Sequence, residues 1–132
     1  MAPSKQKMSV IVLDDDISVC RALETQLKIL GFGVRAFHTA AELLANEIPS
    51  RDACLLVDVY LPGMTGIELC RHLNAAGRYL PTILMSGRDD DETKRLMRDA
   101  KPIASLFKPF GQPTLLRALR KAAGSRAAIQ AR

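Results

Sequence analysis

Short apolar runs, each closed by a polar residue, recur along this chain. Ser9–Leu13 is a β-branched run that gives way to Asp14, Asp15 and Asp16. Ala53–Val57 is apolar throughout and ends at Asp58, Pro81–Met85 ends at Ser86, and Ala104–Phe107 ends at Lys108. A short run without alternation is the mark of a strand covered on both faces, as in a parallel sheet. Gly33–Phe37 supplies a further strand. Between these runs the apolar positions change to helical spacing. Ile17, Cys20, Leu23, Leu27 and Leu30 repeat until Gly31, and Thr39 with Glu42 three positions on caps a helix over Ala40–Ala45. Thr65 and Glu68 open another that carries Ile67, Leu69, Cys70 and Leu73 as far as Gly77. The acidic stretch within Arg88–Glu92 starts a fourth helix, whose apolar face is thin: Thr93, Leu96, Met97 and Ala100. Leu115, Leu116, Leu119, Ala122 and Ala123 form the last, after which Gly124–Arg132 reads as a frayed tail. Five strand–helix alternations with short links predict an α/β fold: a parallel sheet, right-handed crossovers and helices on both faces.

A chain of 132 residues fits one domain, expected over residues 9–124 between an arm at 1–8 and a tail at 125–132. With 48% hydrophobic and 25% charged residues it is composed like an ordinary globular protein. No apolar run approaches the roughly 20 residues of a membrane helix. Met1–Met8 lacks the apolar middle of a secretion signal, so the expected address is the cytoplasm, with no membrane partner. The net charge of +5 is dispersed, with Lys5 and Lys7 at the front and Arg117, Arg120, Lys121, Arg126 and Arg132 at the back. Aromatics are few and not interleaved with these cations, which argues against direct nucleic-acid binding. Cys20, Cys54 and Cys70 lack paired spacing and read as buried free thiols. His38 and His72 stand far apart without a second ligand type, so no zinc site is expected.

The residues that close the runs carry the chemistry. In an open parallel sheet, ligands bind at the carboxyl ends of the strands, and four runs deliver carboxylates, a hydroxyl and an ammonium there. Several carboxylates in one small pocket must take up protons or share a cation. Magnesium suits such a set because it takes oxygen ligands, keeps several waters and is held by one or two carboxylates together with phosphate oxygens. Asp15 and Asp58 are the direct ligands expected, with Asp14 acting through a water. A carboxylate beside such an ion is also a nucleophile toward phosphorus, and Asp58, ahead of a Pro62-Gly63 turn, is best placed. Lys108 would neutralise a phosphoryl oxygen and the Ser86 hydroxyl would donate to another. Each piece has a plainer reading: Asp14–Asp16 as a helix cap, Asp58 as a turn cap, Ser86 as a turn residue, Lys108 as a surface lysine before proline. Their joint occurrence at strand ends favours the chemical one.

These motifs resemble the receiver (CheY-like) domain of two-component response regulators: Val-Leu-Asp14-Asp15-Asp16, Leu-Val-Asp58-Val-Tyr-Leu-Pro62-Gly63-Met64-Thr-Gly66, Met-Ser86-Gly, and Lys108-Pro109-Phe110. The resemblance covers about Ser9 to Gly124. It implies a flavodoxin-like (βα)5 doubly wound sheet in the order 2-1-3-4-5, and Asp58 as acceptor of a phosphoryl group from a sensor histidine kinase or phosphotransfer protein. It also implies Mg2+ held by Asp15, Asp58 and the Tyr60 backbone carbonyl, with Lys108 as phosphate-binding lysine and Ser86 as switch hydroxyl. On this reading the protein is a signalling phosphoacceptor, not an enzyme, with self-catalysed phosphorylation and dephosphorylation. It would switch a surface formed by helix four, strand five and helix five toward a downstream target or a missing output domain, and phosphorylation would favour a dimer. The chain departs from the pattern at Ser105, where an aromatic switch residue is usual, and in Ala100-Lys101-Pro102-Ile103, which lacks the usual Gly-Ala. The resemblance also implies that Tyr60 and Arg88 occupy variable positions that in this family tune hydrolysis of the acyl phosphate. Two other readings remain: a receiver-fold interaction module that phosphorylation does not regulate, and a haloacid dehalogenase-type phosphatase built on Asp14-x-Asp16, which would leave Asp58 idle.

Overall fold

The strands form where the apolar runs stand. A computed structural model describes the backbone of residues 8–130 and the side chains of residues 8–125. The elements in chain order are β1 (Ser9–Leu13), α1 (Ile17–Ile29), β2 (Gly33–Phe37), α2 (Ala40–Leu44), β3 (Ala53–Asp58), α3 (Gly66–Ala75), β4 (Thr82–Ser86), α4 (Asp91–Ala100), β5 (Ala104–Phe107) and α5 (Gln112–Gln130). All five strands are parallel and lie in the order β2-β1-β3-β4-β5, the doubly wound arrangement expected. Successive strands are added to opposite sides of β1, so the strand order reverses between β1 and β3 and a crevice opens at their carboxyl ends.

Successive residues of a strand point to opposite faces, and this sorts the core into two layers. Val10, Val12, Cys54, Leu56, Ile83 and Met85 meet α1 and α5 through Cys20, Leu23, Leu27, Leu115 and Leu119. On the other face Ile11, Leu13, Leu55 and Val57 meet α2 and α3 through Leu43, Leu69 and Leu73. Helix α4 is held more thinly: it buries only Thr93 and Met97, the latter in a small cluster with Val59, Ile67 and Leu84.

Several boundaries differ from the expectation. Strand β4 begins at Thr82, since Pro81 has no N–H to give the ladder, and runs on through Ser86. Helix α5 continues past Gly124 to Gln130, because one glycine costs a helix only about 1 kcal/mol relative to alanine. Met8 was assigned to the arm but is buried against the α1/α5 layer. The rest of that arm, residues 1–7, and tail residues 131–132 lie outside the described residues. Cys20 and Cys54 are buried as expected, whereas Cys70 is half-buried.

Candidate functional site

The carboxyl edge of the sheet gathers the residues that close the strands. Asp14 follows β1 and is fully buried; Asp58 ends β3 and is 7% exposed. Lys108 follows β5 and reaches back across the crevice, its Nζ donating to Asp14 Oδ2 at 2.5 Å and to Asp58 Oδ2 at 2.8 Å. One ammonium therefore serves two carboxylates. Burial raises the Asp58 carboxyl above its ordinary value despite opposition from the Lys108 hydrogen bond. Burial pulls on Lys108 in the sense of losing its proton, but both carboxylates outweigh it and the ammonium titrates above its usual value.

The other carboxylate oxygens are held by the backbone. Asp14 Oδ1 accepts from the Asp16 N–H at 2.9 Å, and Asp58 Oδ1 accepts from the Tyr60 N–H at 3.1 Å. Asp15 points outward, yet carboxylate oxygens of Asp14, Asp15 and Asp58 all lie within 4.8 Å of one another. An all-oxygen set of this size, two members buried and one open to water, fits a hard divalent cation that retains part of its hydration. His38 and His72 take no part: His38 Nδ1 lies 3.4 Å from the Asp14 carbonyl, and His72 stands in the last turn of α3. The Cys20 thiol, 3.2 Å from that same carbonyl, is pushed by burial up to about 11 and is inert at neutral pH.

Of the three consecutive aspartates, the third has a different task. Asp16 is the N-cap of α1, its Oδ1 accepting from Ser18 N–H at 2.9 Å and Val19 N–H at 3.3 Å. Its Oδ1 serves the helix and Asp16 is not among the clustered carboxylates, so the second acid of the phosphatase reading stands outside the crevice set. Asp16→Ala is expected to cost about 1 kcal/mol in urea unfolding, with magnesium affinity by titration calorimetry unchanged; a large loss of affinity would reassign Asp16 to the cation.

Ser86 ends β4, fully buried, with Oγ accepting from the Arg88 N–H at 2.9 Å and its carbonyl accepting from the Lys108 N–H at 2.8 Å. Hydroxyl and lysine are thus joined through the main chain. Ser105 is exposed on β5, opposite Leu84, and does not reach this edge. Tyr60 and Arg88 are brought together: the guanidinium lies over the phenol ring, 4.3 Å from its centroid, and also pairs with Asp90 at 2.8 Å.

Two contributors escaped the sequence reading. Gly66 opens α3 where a Cβ would lie 2.2 Å from the Asp58 carbonyl oxygen and 2.6 Å from Val57 Cγ1, so a bare backbone is needed at the β3 tip. Thr93, fully buried on α4, places its Oγ1 2.6 Å from the Tyr60 hydroxyl. A hydroxyl on a face otherwise made of Leu96, Met97 and Ala100 was the available signal for it.

A doubly wound parallel sheet whose switch-point crevice holds three clustered aspartates and a bridging lysine defines an α/β fold with an acidic pocket at the sheet edge. The response regulator receiver domain family matches residues 10–120, and the chain belongs to it. It is 35% identical over 114 residues to nodulation protein W of Bradyrhizobium diazoefficiens, covering 86% of this chain and 50% of that protein. It is 32% identical over 127 residues to the transcriptional regulatory protein FixJ of Azorhizobium caulinodans, covering 96% and 60%. Among solved structures, the response regulator StyR superposes with a TM-score of 0.83 at 35% identity, covering 94% of this chain and 63% of that one. The chain thus spans about half the length of the curated relatives it matches. No helix among the described residues is long and apolar enough to cross a membrane.

Proposed function

We propose that the protein is the phosphoacceptor of a two-component phosphorelay, taking a phosphoryl group on Asp58 from a phosphohistidine of a sensor kinase or phosphotransfer protein. The observation that carries this reading is the shared Lys108 contact, which sets Asp58 beside a cation at the mouth of an acidic crevice. A carboxylate oxygen of Asp58 forms the new O–P bond as the bond from phosphorus to the donor breaks. Lys108, already between the two carboxylates, neutralises charge on an equatorial oxygen, and the Ser86 hydroxyl donates to another. Asp15, Asp58 and the Tyr60 carbonyl would hold magnesium, with Asp14 acting through a water. When bound, that ion neutralises phosphoryl oxygens during transfer.

The product carries nearly two extra negative charges and strong acceptors, which rearrange Ser86 and Lys108 and shift the surface of α4, β5 and α5 between two arrangements. Moving such an equilibrium from 1:99 to 99:1 takes about 5.5 kcal/mol. A few charge-assisted hydrogen bonds, each of about 1.5–3 kcal/mol, reach that total. The cationic Arg88 over Tyr60 flanks the acyl phosphate and tunes how fast water removes it. A downstream protein or an attached output domain would read the altered surface, and dimerisation would follow phosphorylation.

Incubation with acetyl phosphate and magnesium is expected to add a single phosphoryl group, seen by intact-protein mass spectrometry. Asp58→Asn is expected to abolish it. Retention of the label in that variant would overturn the assignment of the nucleophile.

A further inference from the structure

The first turn of α4 is tied to the acidic crevice by a closed set of side-chain contacts. Tyr60 hydroxyl and Thr93 Oγ1 lie 2.6 Å apart, and Thr93 is fully buried. Thr93 gives its backbone N–H to Asp90 Oδ1 at 3.1 Å. Its hydroxyl, with the Arg88 guanidinium, holds the Asp90 carboxyl down at about 2. Either hydroxyl can be the donor in the Tyr60–Thr93 bond. Arg88 closes the ring, paired with Asp90 at 2.8 Å and stacked on Tyr60.

Both threads into this ring start at residues of the crevice. The Tyr60 N–H donates to Asp58 Oδ1, and the Arg88 N–H donates to Ser86 Oγ. A change in what Asp58 and Ser86 can accept therefore acts on the backbones of the two residues whose side chains grip α4. The helix is also the element able to respond, since Thr93 and Met97 are its only buried residues. Ser105 on β5 is exposed and has no ring to carry the message.

We infer that Tyr60 and Thr93 form the latch that transmits the state of Asp58 to helix α4 in this chain, with Arg88 and Asp90 as its second arm. This rests on the phosphoacceptor reading above and adds the route by which phosphorylation is felt. Thr93 is a positioning residue: it acts through Tyr60 and lies outside the set assigned to phosphoryl transfer.

The test is amide hydrogen exchange of residues 91–100, followed by mass spectrometry, in the full chain with and without acetyl phosphate and magnesium. Without phosphoryl donor, Thr93→Val and Tyr60→Phe are each expected to speed exchange of α4 about fivefold, the factor for one hydrogen bond of about 1 kcal/mol. The double variant should be no faster than either single one. With donor, the wild type should change its α4 exchange. Thr93→Val should take the phosphoryl group as the wild type does, yet lose most of that change. Wild-type exchange in unphosphorylated Thr93→Val, additive effects in the double variant, or a full response to phosphorylation in Thr93→Val would each overturn the latch. A wild type that takes no label overturns the phosphoacceptor reading and the transmission step with it; label without any α4 response overturns transmission alone.

Discussion

Replacing Lys108 with alanine is expected to lower the unfolding free energy at pH 7 by on the order of 3 kcal/mol, measured by urea denaturation without divalent ions. The cause is what the substitution leaves behind. Asp14 is fully buried and Asp58 nearly so, and both lean on one ammonium. Without it two neighbouring carboxylates cannot both stay charged cheaply, and proton uptake on Asp58 becomes easier. Asp58 is already raised by burial with the lysine present, so the variant moves it further in the same direction. An acid whose pKa is higher folded than unfolded binds its proton more tightly in the folded state, so stability falls as pH rises through that range. The deficit should accordingly be largest at neutral pH and shrink on acidification below the raised values. Magnesium should also restore more stability to Lys108→Ala than it adds to the wild type, since the ion supplies the missing charge to the same carboxylates. A variant equally stable at pH 7, or one indifferent to magnesium, would show that the crevice carboxylates do not depend on this cation.

Gly66→Ala is the second substitution with a large expected effect. The added methyl would meet the main-chain carbonyl of Asp58 at 2.2 Å, a contact that no side-chain rotation relieves. Either the β3 tip or the start of α3 must shift, and the Gly66 N–H would pull away from the Val59 carbonyl it now reaches at 2.9 Å. A loss of about 3 kcal/mol or more follows from such overpacking against backbone. Because the displaced carbonyl belongs to the proposed nucleophile, the folded fraction should also take phosphoryl from acetyl phosphate at least about tenfold more slowly, a factor that corresponds to about 1.4 kcal/mol. Normal stability with a normal labelling rate would mean that the two segments have slack where the structure places a clash.

Much of the architecture was legible because burial writes itself into a parallel strand. Ala53–Val57 must face apolar layers on both sides, so every position is apolar, and the first polar residue after it marks the edge of the sheet. Asp14, Asp58, Ser86 and Lys108 were found this way. The same signal fails where packing is thin. Helix α4 carries too little apolar surface to declare which residue anchors it, and Thr93 was read as part of a weak stripe. It is the buried hydroxyl beneath Tyr60. Asp16 shows the opposite failure: three adjacent aspartates are indistinguishable as letters, and only the turn of the chain into α1 separates the cap from the crevice residues.

The order of apolar runs and turn residues by itself determined that this chain builds alternating strands and helices, and which polar side chains arrive at the sheet edge. That information is local: periodicity, caps and breakers act within a few residues of one another. What tertiary structure alone decided is who meets whom there. Lys108 lies 94 positions from Asp14 and 50 from Asp58, and its choice of both carboxylates depends on strand order and register. The same holds for Gly66 under the Asp58 carbonyl and for Thr93 against Tyr60. These contacts are set by distances between elements, which a linear pattern of hydrophobic and polar residues does not encode.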